Sequence, residues 1–181
     1  LGTLKLVVGC GVKSDDDQTL LKEYLVYKIY NLITDKSFRV RLLNVNYNDT
    51  RGKVKPYEQY AFLIEDVDDL AKRHQCKKQE QGKFFPDFIN REQATLVYMF
   101  QYMIGNTDYS TAVQHNQQLI FVNDEALPVP YDFDMSGLVY TNYSVVSEIG
   151  GESLPIKSVR ERMYRGFRRN PALIEQVSQE Y

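Results

Sequence analysis

Glu92 to Met103 (EQATLVYMFQYM) is apolar nearly all round, the mark of a helix enclosed by a core and not one resting on a surface. A chain of 181 residues with 43% hydrophobic side chains is long enough to bury such a helix, as one domain or as two small lobes. The helix delivers Gly105-Asn106-Thr107-Asp108 at its C-terminal end.

The flanking segments predict a mixed, α+β chain. Thr3 to Val8 has strand composition, is bounded by Gly9 and Gly11, and places Lys5 on the face opposite Leu4 and Leu6. After the cap-rich Ser14-Asp15-Asp16-Asp17, helical spacing runs from Leu20 to Ile33 and carries Glu23 near its N-terminal end. Phe38 to Leu42 and Tyr57 to Glu65 read as two strands of an antiparallel hairpin, followed by a short helix over Asp66 to Arg73 and a loop over Cys76 to Phe88. Gln118 to Val122 and Pro128 to Tyr131 read as a second hairpin, joined by Asn123-Asp124-Glu125-Ala126. Val159 to Arg169 and Ala172 to Glu180 read as helices separated by Asn170-Pro171.

Composition removes several classes of function. The 22 basic and 24 acidic side chains nearly cancel, so no global field draws the chain to nucleic acid or to an anionic membrane. No apolar run approaches the roughly 20 residues of a membrane-spanning helix. Cys10 and Cys76 provide neither a zinc cluster nor a disulfide framework. The chain opens at Leu1 directly on a strand-like run, which predicts an upstream segment; a signal peptide there would be invisible, and localisation stays open.

The chemistry concentrates between Gly105 and Gly137, where GNTDYSTAVQHN precedes the second hairpin and VPYDFDMSG closes it. Phosphoryl transfer needs carboxylate and amide oxygens to hold magnesium against phosphates, and an acid to orient the attacking hydroxyl. A hairpin between Asn116 and Asp132 brings the two side by side. At these residues the chain resembles the protein-kinase-like superfamily, most closely the atypical CotH-like kinases, with HipA-like and lipid kinases more distant.

The resemblance implies a bilobal fold, with a small β-rich lobe over residues 1–66, incomplete at its N-terminus, and a mostly helical lobe over residues 67–181. It implies ATP and magnesium as cofactors and a hydroxyl-bearing acceptor: protein, lipid or small molecule. Asp108 becomes the catalytic acid, Asn116 and Asp132 metal ligands, and Asp134, which stands where the family's Asp-Phe-Gly motif has Gly, a further ligand. Lys5 would meet the nucleotide phosphates and pair with Glu23, and Glu65 and Asp66 would belong to the hinge beside adenine. Seven residues separate Asp108 from Asn116 where the usual kinase loop has about four, so the fit requires an inserted turn. No Gly-rich phosphate loop precedes Lys5.

Other features read more simply. His115 reads as structural ahead of a general base, His74 as a surface residue, and the arginines from Arg160 to Arg169 as a solvated helix face ahead of a site for an acidic or phosphorylated partner. The stretched loop keeps a second functional reading open: a degenerate kinase-like domain that binds a nucleotide or protein partner without turnover. A metal-dependent phosphoesterase using the same acids is a third.

Overall fold

The computed structural model describes residues 4–9, 14–78, 88–122, 125–149 and 151–181. Cys10, Gly11 and the Asn123-Asp124 part of the second hairpin's connection lie outside the described residues.

The chain is mixed α+β, with four helices and small antiparallel sheets among the described residues. The first sheet has the order β1-β3-β2, from Lys5–Val8 (β1), Val40–Tyr47 (β2) and Tyr57–Ile64 (β3). The β2/β3 hairpin forms as the alternation predicts, with Tyr47 opposite Tyr57, but β2 runs five residues past Leu42. The stacked Tyr47 and Tyr57 rings, 4.8 Å between centroids, accompany that extension. Helix α1 (Ser14–Ile33) starts at the acidic turn itself, which places Glu23 mid-helix and not near its start. After β3, Asp66 caps the seven-residue helix α2 (Val67–Arg73), accepting from Asp68 N at 2.8 Å.

The second sheet has the order β4-β5-β6, from Lys77–Lys78 (β4), Gln117–Val122 (β5) and Glu125–Pro130 (β6). The expected loop over Cys76 to Phe88 thus contains a short strand, and residues 79–87 of it lie outside the described residues. Helix α3 (Arg91–Ile104) is buried over most of its circumference, as its composition demands, and ends on Gly105 in the left-handed region, φ 68°. A small hairpin, β7 (Glu148–Ile149) with β8 (Glu152–Ser153), and helix α4 (Pro171–Glu180) complete the chain.

One aromatic cluster joins these elements. Tyr27 of α1 packs on Phe62 of β3 at 5.6 Å and on Phe133 at 4.7 Å, while Phe100 of α3 meets Tyr30 at 4.5 Å and Phe133 at 5.9 Å. Phe133 is fully buried between α1 and α3, so the two aspartates that flank it are carried on a core residue and not on a free loop.

Val159 to Arg169 is not a helix. Its side chains are committed to tertiary contacts that require an open backbone: Arg162 donates to Met103 O at 3.0 Å, Arg165 donates to Thr107 O, and Tyr164 and Phe167 stand edge-on to Tyr98. Gly166 lies against the Tyr98 ring, where a Cβ would overlap it. Arg162 and Arg165 therefore brace the C-terminal end of α3 and the segment that follows it, where a solvated helix face was expected.

Gly105 and Gly137 meet: Gly137 N donates to Gly105 O at 3.0 Å and Leu138 N to Ile104 O at 3.0 Å. The chemistry-bearing stretch is thus clasped at both ends to the tip of α3. A Cβ on Gly137 would overlap Val159 O, a backbone atom that cannot swing aside. Gly137→Ala is expected to lower stability by roughly 1–3 kcal/mol, as overpacking does, and a thermal melt should show Tm down by several degrees. No helix among the described residues is long and apolar enough to cross a membrane.

Candidate active site

A cleft of about 480 Å³ lies between the first sheet, α1 and the end of β6, and Lys5, Glu23, Glu65, Asp132 and Asp134 all line it. Five of the eight residues singled out from the sequence are therefore brought to one cavity. Asp108 and Asn116 stand next to it, linked through Asp132, whose carboxyl senses the charge of Asp108.

The inserted turn that the Asp108 to Asn116 spacing requires is present. Ser110 and His115 exchange both backbone hydrogen bonds at 2.9 Å, which closes the chain over residues 111–114 and returns it beside Asp108. Asn116 Nδ2 then donates to Asp108 Oδ2 at 3.0 Å and to Asp108 O at 2.8 Å. Asn116 O accepts from Tyr131 N at 3.1 Å, so the base of the β5/β6 hairpin sets Asn116 directly beside the Tyr131-Asp132 peptide. Behind the turn, Tyr98 OH donates to Thr111 Oγ1 at 3.1 Å and Thr111 Oγ1 to Gln117 Oε1 at 2.6 Å, a buried prop for the loop.

The backbone is strained where the groups converge. Gln114, Asn116 and Asp132 have φ of 54°, 51° and 60°, three of the five described non-glycine residues with positive φ. Such conformations persist only where the surroundings over-determine them, and they cluster at functional sites. At Asp132 the determinant is Tyr27, whose hydroxyl accepts from Asp132 N at 2.8 Å.

The acids repel one another in low dielectric. Burial pushes the Glu23 carboxyl up to about 8, with the charges of Asp132 and Asp134 adding to the effect. Asp132 is pushed up to about 6, first by burial and then by Asp134, to which it is also hydrogen-bonded. Asp134 in addition accepts from Tyr143 OH at 2.9 Å. Asp132 and Asp134 stand close to each other and offer hard carboxylate oxygens of the kind magnesium prefers, while the Asn116 amide is turned with its nitrogen to Asp108. Among the described residues no three His, Cys, Asp or Glu side chains stand in a metal-holding group, so the protein would supply only two or three of the ligands.

Other expected roles are placed differently. No ion pair joins Lys5 to Glu23 among the described residues: Lys5 is exposed at the cleft mouth, and Glu23 is a buried acid turned to the aspartates. Asp66 is used as the α2 cap and does not line the cleft. Glu65 N donates to Arg39 O at 2.9 Å, and its carboxylate holds Arg73 at 2.9 Å in a mostly buried pair. Arg73 also donates to Asp35 O and Ser37 O, both at 2.8 Å, tying the α1/β2 turn to the β3/α2 junction. Val67 lines the cleft instead, and as the first residue of α2 its N–H has no acceptor within the helix.

The contributions of Tyr27, Tyr143 and Arg73 were not singled out from the sequence. The Tyr-rich helix Leu20 to Ile33 reads from the sequence as core, and nothing in it separates Tyr27 from the other tyrosines. Comparison with protein-family models, with curated proteins and with solved structures finds no match to this chain.

Proposed function

We propose that the chain is an atypical kinase of protein-kinase-like architecture, transferring the ATP γ-phosphoryl group to a hydroxyl acceptor with magnesium. The observation that carries this reading is the joint placement of Lys5, Glu23, Asp132 and Asp134 on one cleft, with Asp108 and Asn116 in contact at its edge. In the bilobal reading the β1-β3-β2 sheet with α1 is the smaller lobe and the rest of the chain the larger, with the nucleotide between them; that larger part is not the mostly helical lobe expected, since its described residues hold the helices α2, α3 and α4 beside two small sheets and long irregular segments.

The residues divide the work. Lys5 at the cleft mouth would neutralise phosphate oxygens, and the β3/α2 junction, where Ile64, Glu65 and Val67 line the cleft, would lie beside adenine. Asp132, Asp134 and Asn116 Oδ1 would hold magnesium, which when bound neutralises the charge developing on the phosphates. Asp108 accepts the proton of the attacking hydroxyl and fixes its direction; positioning of this kind contributes far more here than covalent chemistry.

A thermal-shift titration tests the reading. A ligand that binds only the folded state stabilises it by about 2.7 kcal/mol at a hundredfold excess over Kd. ATP with magnesium is therefore expected to raise Tm by roughly 5–10 °C, and ATP with EDTA by much less. No shift with either would rule out both nucleotide readings. The exposed Lys5, unpaired with Glu23, favours a second reading in which the cleft binds nucleotide without turnover; phosphate release from bound ATP separates the two.

A further inference from the structure

His115, read from the sequence as structural, sits where it can act on the reaction. Its Nε2 lies 3.0 Å from Asp108 Oδ1, while Asn116 Nδ2 holds Oδ2 at 3.0 Å. Each carboxylate oxygen of Asp108 therefore has its own donor, and the two donors are consecutive residues delivered by the same closed turn. Beyond them a second cleft of about 810 Å³ opens, lined by Asp108 and His115 with Val113, Val145, Ile149 and Arg165 around them.

We infer that His115 is the positioning residue for Asp108, fixing the plane of its carboxylate towards an acceptor hydroxyl that enters by this second cleft. The inference rests on the phosphotransferase reading above. With Asp108 ionised, the ring N–H donates and the carboxylate accepts, so the hydrogen bond does the positioning whatever the charge on the ring.

A purely structural role fits the surroundings less well. The His115 side chain is 55% exposed, and a pair this open contributes only about 0–1 kcal/mol to stability. The turn is closed by the backbone of His115, which any residue would supply. Arg165, the cation lining the same cleft, lies close enough to feel the charge of Asp108, but its hydrogen bond goes to Thr107 O and its guanidinium lies 5.5 Å over the Tyr109 ring. Holding a catalytic carboxylate in one orientation, by contrast, acts directly on the rate.

The test uses the full chain with MgATP and water as acceptor, reading phosphate release. His115→Ala is expected to lower kcat about tenfold or more with KM for MgATP within about twofold of the native value. His115→Gln, whose Nε2 can reach the same oxygen, should recover to within about threefold of native. Both variants should keep the native Tm and the native MgATP thermal shift. Unchanged turnover in His115→Ala, an equal loss in both variants, or a change confined to KM would overturn the inference. A native chain that gives no MgATP shift sinks the parent reading at the level of binding; one that binds MgATP and releases no phosphate leaves nucleotide binding intact but removes turnover, and with it the role given to His115.

Discussion

Asp108→Asn is expected to cut phosphoryl transfer about a thousandfold while leaving the MgATP thermal shift within error of native. A side chain that takes a proton in the transition state typically contributes a factor of about 10²–10⁴. Asn preserves the volume and one acceptor oxygen, so the turn and its contact with Asn116 persist and binding is spared. Label transfer or phosphate release reads the loss, and thermal shift reads the retention. A variant as fast as native would refute the assignment of Asp108 as the catalytic acid.

The second large effect is on stability. Glu23 holds its proton up to about pH 8 in the folded chain against 4.5 for the free carboxyl, first because it is buried and then because Asp132 and Asp134 lie close. Between those values the folded state binds more protons than the unfolded one, so stability falls as pH rises from about 4.5 and levels off above about 8. Asp132, raised to about 6 from 3.8, adds a loss of the same sign over a lower window. Glu23→Gln cannot ionise and keeps an oxygen for the hydrogen bond from the Phe133 backbone. The variant should match native below pH 4.5 and exceed it by several kcal/mol, of order 3, at pH 9. Melting curves across that range check it: Tm of the variant should be higher by roughly 6–12 °C at the alkaline end and nearly equal at the acid end. A parallel offset at every pH would show that packing, not ionisation, separates the two.

The elements with strong local periodicity were legible in the sequence. The buried helix, both hairpins and α2 follow from alternation, apolar spacing and turn residues, which act over a few residues, although β6 begins at Glu125, so that Glu125 and Ala126 lie in the strand and not in the connection expected over Asn123 to Ala126. The order Asp108, Asn116, hairpin, Asp132 was legible for the same reason, since a hairpin necessarily apposes its ends. Val159 to Arg169 was not, because nothing within that segment says that Arg162 and Arg165 find backbone carbonyls at the end of α3 or that Gly166 must lie on Tyr98. The Lys5 to Glu23 pairing fails to form for a related reason. Helix spacing places Glu23 on an inward face, but which charges wait there depends on Asp132 and Asp134, more than a hundred residues away.

The left-handed backbone at Asn116 and Asp132 restricts how this site can change. Asn, Asp and Gly tolerate that conformation, whereas other residues incur a cost of about 1 kcal/mol or more. Drift at position 132 is thereby channelled towards Asn or Gly, substitutions that erase the charge without disturbing the fold. Because ionised Asp132 costs stability above about pH 6, such a substitution would remove the carboxylate that the proposed magnesium site needs and raise the melting temperature at neutral pH, so a gain in stability is compatible with loss of the proposed chemistry.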